Sequence, residues 1–216
     1  NVSERDTTVE LFGQKLPSPI LLDPIGVLEM VHPKADVAVA KAAARLGLPY
    51  IFSNQASKPM EACAQVMSES PRWFQLYWSK SNELVQSFLH RAEQCGCKAL
   101  VVTLDTTLLG WRARDLDVAY LPFLEGKGIA QYTSDPVFQK LLDEPEETDQ
   151  IKRPITLQSI LGLISMVNNY PGNGFFEKLK SGRPLKAVRK FVSIYSNPAT
   201  TWDDLTFLRQ STKLPI

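Results

Sequence analysis

Apolar and polar positions alternate in ordered blocks through the first hundred residues. Pro19-Ile20-Leu21-Leu22-Asp23-Pro24 is a short apolar run closed by Pro24 and Gly26, and it reads as a strand running into a turn. Val37, Val39, Ala40, Ala43, Ala44 and Leu46 then recur at helical spacing until Gly47 stops the pattern. Residues 49–53 read as strand and residues 59–68 as helix, with Pro59 in the first turn, where its missing N–H is not needed. Residues 73–78 read as strand. Residues 81–95 read as helix, with Ser81 as N-cap, Leu84, Val85, Phe88, Leu89 and Ala92 facing inward, and Gly96 as the stop. Residues 98–105 form a fourth strand. Four apolar strands, each followed by a helix or a long connection, predict a parallel sheet. The units recur about every 25 residues, which suits a (β/α) barrel or a doubly wound sheet. No G-x-G-x-x-G follows the first strand, which weighs against a dinucleotide-binding fold.

From about residue 119 to 200 this rhythm is lost. Residues 143–149 carry five acids in seven positions, and residues 178–190 carry six basic residues in thirteen. Both runs are expected on solvated loops or helices, where they are able to attract one another. Long excursions inside α/β domains are commonly lids or mobile segments. Regularity returns at Thr201-Trp202-Asp203-Asp204-Leu205, which opens a short amphipathic helix, and Leu214-Pro215-Ile216 reads as the start of a fifth strand.

The 216 residues fall short of the roughly 250 typical of an eight-stranded α/β barrel. Lys plus Arg number 24 and Asp plus Glu 23, a net charge of +1. That balance argues against a dedicated nucleic-acid binder or a polybasic membrane binder. No apolar run approaches the ~20 residues a membrane helix needs, and no signal-peptide core is visible. Cys63, Cys95 and Cys97 are odd in number and lack C-x-x-C spacing, so free thiols in a reducing compartment are expected, with no metal site. The expected location is cytoplasmic, with peroxisomal and mitochondrial locations as alternatives. His32 and His90 are the two histidines, and neither has a motif partner nearby.

In barrel enzymes the reactive groups sit at the C-terminal ends of the strands. Those ends are polar here: Asp23 before Pro24-Ile25-Gly26, Ser53-Asn54-Gln55, Gln75 with Tyr77, and Thr103 with Asp105, followed by Arg112 and Arg114. Any one of them is readily a turn, cap or surface residue. All four ends being polar together predicts a common site.

The segments Asp23-Pro24-Ile25-Gly26, Trp73-Phe74-Gln75-Leu76-Tyr77, Arg91-Ala92-Glu93, Val102-Thr103-Leu104-Asp105-Thr106 and Gly110-Trp111-Arg112-Ala113-Arg114-Asp115 together resemble the FMN-dependent α-hydroxy-acid dehydrogenases and oxidases. Residues 122–128 and 132–136 are most similar to the lactate 2-monooxygenase branch. The resemblance implies an α/β fold, a TIM (β/α)8 barrel of which the first four to five βα units are present. The barrel framework would occupy about residues 17–118 and 200–216, with a long insertion at about 119–200. It implies FMN as cofactor and oxidation of a small, lactate-like 2-hydroxy acid, to the 2-oxo acid or its decarboxylated product. The resemblance further implies that oxygen or another acceptor takes the electrons and that the complete enzyme is a homo-oligomer. Pro24, Ile25 and Gly26 match the turn against the flavin ring; Ser53, Gln75 and Thr103 match positions that hydrogen-bond it. Tyr77 matches a substrate-facing tyrosine, Arg112 the carboxylate clamp, and Asp105 the partner of the catalytic histidine. Gln55 departs from the family's aromatic residue near the substrate.

Further family features have no counterpart in these residues: a Ser-Asn-His-Gly-Gly segment carrying the base, the arginine after it, a lysine ending strand five, phosphate-binding loops after strands seven and eight, and an N-terminal tyrosine. Without the base, proton removal slows by about 10²–10⁴. Four strands leave an open edge. The chain by itself is therefore expected to be neither a stable barrel nor an active oxidase. A rival reading is a non-catalytic half-barrel acting through association; a weaker one is another barrel enzyme, such as an FMN-dependent isomerase.

Overall fold

A computed structural model describes residues 3–105, 108, 110–118, 120–145 and 156–216. The chain opens with an antiparallel hairpin of β1 (Val9–Leu11) and β2 (Gln14–Leu16). Helix α1 (Ala35–Leu46) ends at Gly47, whose φ of 66° lies in the left-handed region that glycine adopts without strain. Then follow β3 (Tyr50–Phe52), α2 (Met60–Met67), β4 (Arg72–Leu76), α3 (Asn82–Gln94) and β5 (Leu100–Val102). The Ser81 hydroxyl caps α3 by accepting from Leu84 N, as the spacing predicts. Pro59 stands one position earlier than expected, as the extended residue before α2.

β3, β4 and β5 form a parallel sheet in sequence order. Leu22 extends it on one side by a single bridge to Tyr50, its N–H donating to Pro49 O (2.9 Å) and its carbonyl accepting from Ile51 N (3.1 Å). Leu100 N donates to Pro215 O (2.8 Å) on the other side. Three regular strands and two flanking contacts thus stand where four to five strands are expected. Prolines bracket the first run and supply no N–H to a ladder. Among the described residues the sheet does not close into a barrel.

Side chains alternate across the sheet. Tyr50, Phe52, Phe74 and Leu76 face α1, α2 and α3 in the main core, where Phe74 meets Phe88 at 6.3 Å. Ile51, Trp73 and Ala99 form a second apolar face with Leu11, Leu21 and Val101. The candidate polar residues continue that second face at the C-terminal ends of the strands: Gln75 within β4, and Ser53, Tyr77 and Thr103 just beyond β3, β4 and β5.

After β5 come α4 (Ala113–Asp117), a 3-10 turn (Pro122–Glu125), α5 (Ala130–Thr133), α6 (Pro136–Leu141), α7 (Leu157–Asn169), α8 (Phe175–Ser181) and α9 (Arg183–Ile194). A further turn, Trp202–Asp204, leads into α10 (Leu205–Ser211). The acidic and basic runs meet: Arg183 pairs with Asp143 (2.8 Å) and Lys190 with Glu144 (3.1 Å). Residues 146–149 of the acidic run lie outside the described residues. Exposed carboxylates limit each pair to about 0–1 kcal/mol.

Residues 128–135 brace the loop that follows β3. Gln131 accepts from Met60 N (3.1 Å) and donates to Ser53 O (3.2 Å), while Tyr132 OH donates to Asn54 Oδ1 (3.0 Å). Gly128 has a φ of +69°, and a Cβ there would lie 2.6 Å from Val27 Cγ2, so only glycine fits. Arg91 holds the brace from α3. Its Nε and Nη2 fork the Glu61 carboxylate (2.8 and 3.0 Å), Nη1 donates to Gln131 O (2.7 Å) and Asp135 Oδ2 (3.0 Å), and Nη2 also reaches Ser134 Oγ (2.8 Å). This part of the excursion is packed structure and not a loose lid.

Cys63, Cys95 and Cys97 are free and buried. Burial pushes all three thiols up, Cys95 to about 11. Against an ordinary value near 9, that lowers the Cys95 thiolate fraction at pH 8 about 100-fold. A disulfide reagent at pH 8 is expected to leave all three thiols unmodified on the minute scale in native protein and to modify all three in denaturant. Rapid reaction of the native protein would contradict this burial. Among the described residues, no group of three or more His, Cys, Asp or Glu is placed to hold a metal. No helix among them is long and apolar enough to cross a membrane.

Candidate active site

The site is built at the C-terminal ends of β3, β4 and β5. Gln75, 1% exposed, is its centre. Its Oε1 accepts from Asn54 N (3.0 Å) and its Nε2 donates to Thr103 Oγ1 (2.9 Å), so one amide ties the ends of all three strands together. The Ser53 hydroxyl, 2% exposed, accepts from Gln55 N (3.1 Å). A hydroxyl has one proton to donate, and in both Ser53 and Thr103 these bonds use only the acceptor side. Among the described residues, two hydroxyl protons and one amide proton of Gln75 have no acceptor in the protein.

The loop after β3 is fixed from two sides. Asp36, 1% exposed, accepts from Ser57 N (2.9 Å) and Lys58 N (3.0 Å). Burial pushes its carboxyl above the ordinary range, while backbone N–H donors and Tyr50 OH pull the other way. On the opposite side stands the brace of residues 128–135.

Pro24, Ile25 and Gly26 lie beside this centre. Val27 N donates to Gln55 O (2.9 Å), and a Cβ on Gly26 would sit 3.5 Å from Gln55. Pro24 is half-buried, whereas Ile25 is 53% exposed and Gly26 is exposed. Tyr77 and Thr103 line a cleft of about 20 Å³ with Trp78, Ser196, Asn197 and Thr200. That volume suits about one water molecule. The far wall is carried by the chain as it leaves α9, and Ser79 anchors it by donating to Ile194 O (2.8 Å). Nothing in the local pattern of the sequence marks Ser196, Asn197 and Thr200 as a wall of this cleft.

Asp105 and Arg112 are not among the residues that line this cleft, although Leu104, next to Asp105, is. Both are exposed, and Arg112 leads into α4 with its guanidinium 3.8 Å from Asp115. Thr106, Thr107 and Leu109 between them lie outside the described residues. His32 and His90 are both exposed, and neither is among the residues that line the cleft.

All of residues 1–216 match the model of a single family, the FMN-dependent dehydrogenases. The chain belongs to that family. An L-lactate oxidase of Lysinibacillus sphaericus is 39% identical over 142 residues, covering 66% of this chain and 37% of its own length. An FMN-dependent alpha-hydroxy acid dehydrogenase of Schizosaccharomyces pombe is 32% identical over 216 residues, covering 98% of this chain and 46% of its own length. Among solved structures, mandelate oxidase with (S)-4-hydroxymandelic acid is similar over 100% of this chain and 48% of its own, with a TM-score of 0.67 and 24% identity. Mandelate oxidase with benzoyl-formic acid is 31% identical over 56% of this chain and 36% of its own, with a TM-score of 0.53. The fold is therefore that of α/β TIM-barrel enzymes, and this member of the family spans between a third and a half of the length of these relatives.

The donor set fits the family's cofactor. The polar edge of an isoalloxazine ring carries carbonyl and ring-nitrogen acceptors, and three unused donors are gathered at the strand ends. The Pro24-Ile25-Gly26 turn beside them, exposed at Ile25 and Gly26, offers an apolar surface.

Proposed function

We propose that this chain supplies the flavin-ring and carboxylate-binding side of an FMN-dependent oxidoreductase acting on a small, lactate-like 2-hydroxy acid. The observation that carries this reading is the buried Gln75 amide, which joins the three strand ends by holding Thr103 Oγ1 and the backbone of Asn54, the residue next to Ser53. We read the sheet as the first four to five βα units of the barrel, with framework at about residues 17–118 and 200–216 and the insertion at about 119–200.

In this reading Ser53, Gln75 and Thr103 hydrogen-bond the polar edge of the ring, and Pro24, Ile25 and Gly26 lie against its face. Tyr77 holds the substrate hydroxyl or carboxylate from the cleft. Arg112 swings from Asp115 to grip the carboxylate, for which a planar, always-charged fork is suited. Asp105 orients and stabilises the charged form of a histidine base that is neither His32 nor His90. Oxidation to the 2-oxo acid removes two protons and two electrons from the substrate; FMN, when bound, would supply the electron-pair acceptor, with oxygen or another acceptor as the final oxidant.

Titrating FMN into the purified protein tests the reading. Flavin fluorescence is expected to be quenched, and added L-lactate to perturb the flavin absorbance. Losing the charge-assisted bonds of Arg112 removes about 1.5–3 kcal/mol, so Arg112→Ala should weaken the lactate response about 10- to 150-fold while leaving the flavin quench intact. No quench, or an unchanged response in the variant, would overturn the assignment.

A further inference from the structure

The hydroxyl of Tyr132 stands in an aromatic cage. The residue is fully buried, and its ring meets Phe88 at 5.0 Å, Phe138 at 5.6 Å and Phe191 at 4.8 Å, each edge-on. A phenylalanine would fill this cage without taking a hydroxyl out of water, a step that is costly unless the group finds a partner. The partner is the Asn54 side chain, whose Oδ1 accepts from Tyr132 OH at 3.0 Å. Burial, then the Tyr195 and Tyr77 phenols, push the Tyr132 hydroxyl above its ordinary range, so it keeps its proton and remains a donor.

Asn54 is held thinly. It too is fully buried, and among the described residues its Nδ2 has no hydrogen-bond partner, so the Tyr132 hydroxyl is the polar contact that fixes the amide. Alternation at the end of β3 turns Ser53 toward the candidate site and Asn54 toward the core. The Asn54 side chain is thus a handle on the core side of the strand end, and its backbone N is the donor to Gln75 Oε1. The element that grips this handle lies in register with it: Ala130 N donates to Ala56 O (3.1 Å) and Gln131 Nε2 to Ser53 O (3.2 Å). We propose that Tyr132 is a positioning residue, whose hydroxyl, acting through Asn54, sets where Ser53 and Gln75 present their donors. The proposal rests on the flavin-ring reading of those donors, and it makes a residue far beyond β5 a determinant of the site.

NMR of the uniformly 15N-labelled protein and FMN titration test it together. In Tyr132→Phe the cross-peaks of the Asn54 backbone amide and the Gln75 side-chain amide should shift. FMN binding, read by fluorescence quenching, should weaken about 3- to 10-fold, the worth of one neutral hydrogen bond. Asn54→Ala should weaken it comparably, and the double variant should bind no more weakly than the weaker single one, because the two residues act in series. Phe138→Leu loosens the same cage without touching the bond. Its urea midpoint should fall, with the Asn54 and Gln75 cross-peaks in place and FMN affinity within about twofold of wild type. Unmoved cross-peaks in Tyr132→Phe, additive losses in the double variant, or an equal loss of affinity in Phe138→Leu would overturn the proposal. If the wild-type protein does not quench flavin fluorescence, the flavin reading falls, and the cross-peaks alone decide whether Tyr132 positions the strand-end donors.

Discussion

Arg91→Met is expected to destabilise the protein by about 3–5 kcal/mol, the range found when one member of a buried ion pair is removed. The Asp135 side chain is fully buried, and Arg91 is the cation beside it, with its own side chain 8% exposed. Methionine fills much of the volume but leaves Asp135 with Ser87 Oγ (2.8 Å) and the N–H groups of Val137 and Phe138 (2.8 and 3.2 Å) as its polar partners. The Gln131 carbonyl loses its Arg91 donor as well. Burial by itself would lower the Arg91 pKa, yet the bonds and charge of Glu61, then of Asp135, hold it above the ordinary value, so the guanidinium is charged near neutrality. The cost of its loss is accordingly independent of pH near neutrality. Asp135→Asn keeps an acceptor for the cap of α6 and is expected to cost less. Urea unfolding followed by circular dichroism measures both, and an Arg91→Met midpoint within about 1 kcal/mol of wild type would refute the account.

The Glu61 half of the cluster contributes far less. Its side chain is half exposed, so solvent screens the pair even though the contact is bidentate. Burial and the Arg91 interactions act on its carboxyl in opposite directions, and the bonds and charge of Arg91 prevail to hold it below its ordinary range. Arg91 therefore works chiefly as a clamp between α3 and residues 131–135. Through Gln131 and Tyr132 that clamp reaches Ser53 and Asn54 at the end of β3.

This chain of contacts marks the boundary of what the sequence makes legible. Ser81, Gly47 and Gly96 are readable as helix ends because capping is decided within a few residues. Ser53, Gln75 and Thr103 are readable as one face because alternation along a strand is a local rule, and strand ends in a parallel sheet share one side. Arg91 is visible only as part of a motif, because its partners lie 40 and 44 residues away. The cleft wall at Ser196, Asn197 and Thr200 is hidden for the same reason. It reaches Tyr77 through the Ser79–Ile194 bond, which spans 115 residues of irregular pattern. The short helices between residues 122 and 194 escaped the periodicity reading because segments such as Ala130–Thr133 and Pro136–Leu141 are too brief to show a repeat. Arg112 and Asp105 were legible as residue types only; local rules do not fix how a loop of this length carries them toward Tyr77.

Gln75→Leu should produce the largest loss of flavin binding of any single change at the site. Leucine is nearly isosteric, so packing against the sheet is retained, and the loss is confined to two hydrogen bonds. Asn54 N is left without an acceptor in a residue that is 0% exposed, at about 1–3 kcal/mol. Thr103 Oγ1 loses its donor but is only half-buried, and water is able to replace the bond. The same substitution removes the amide proton directed at the ring and frees Ser53 and Thr103 to drift apart, which spoils the placement of the two remaining donors. Two lost or misplaced bonds of about 1 kcal/mol each correspond to roughly 30-fold weaker FMN binding. Gln75→Glu keeps the acceptor for Asn54 N but buries a carboxylate whose polar neighbours, Asn54 N and Thr103 Oγ1, carry no positive charge, so it loses stability as well. It also replaces the donor with a carboxylate facing the acceptor edge of the flavin. Urea midpoints should accordingly fall in both variants, and FMN titration by fluorescence quenching should weaken in both. A leucine variant that binds FMN as tightly as wild type would show that the amide links the strands without serving the cofactor.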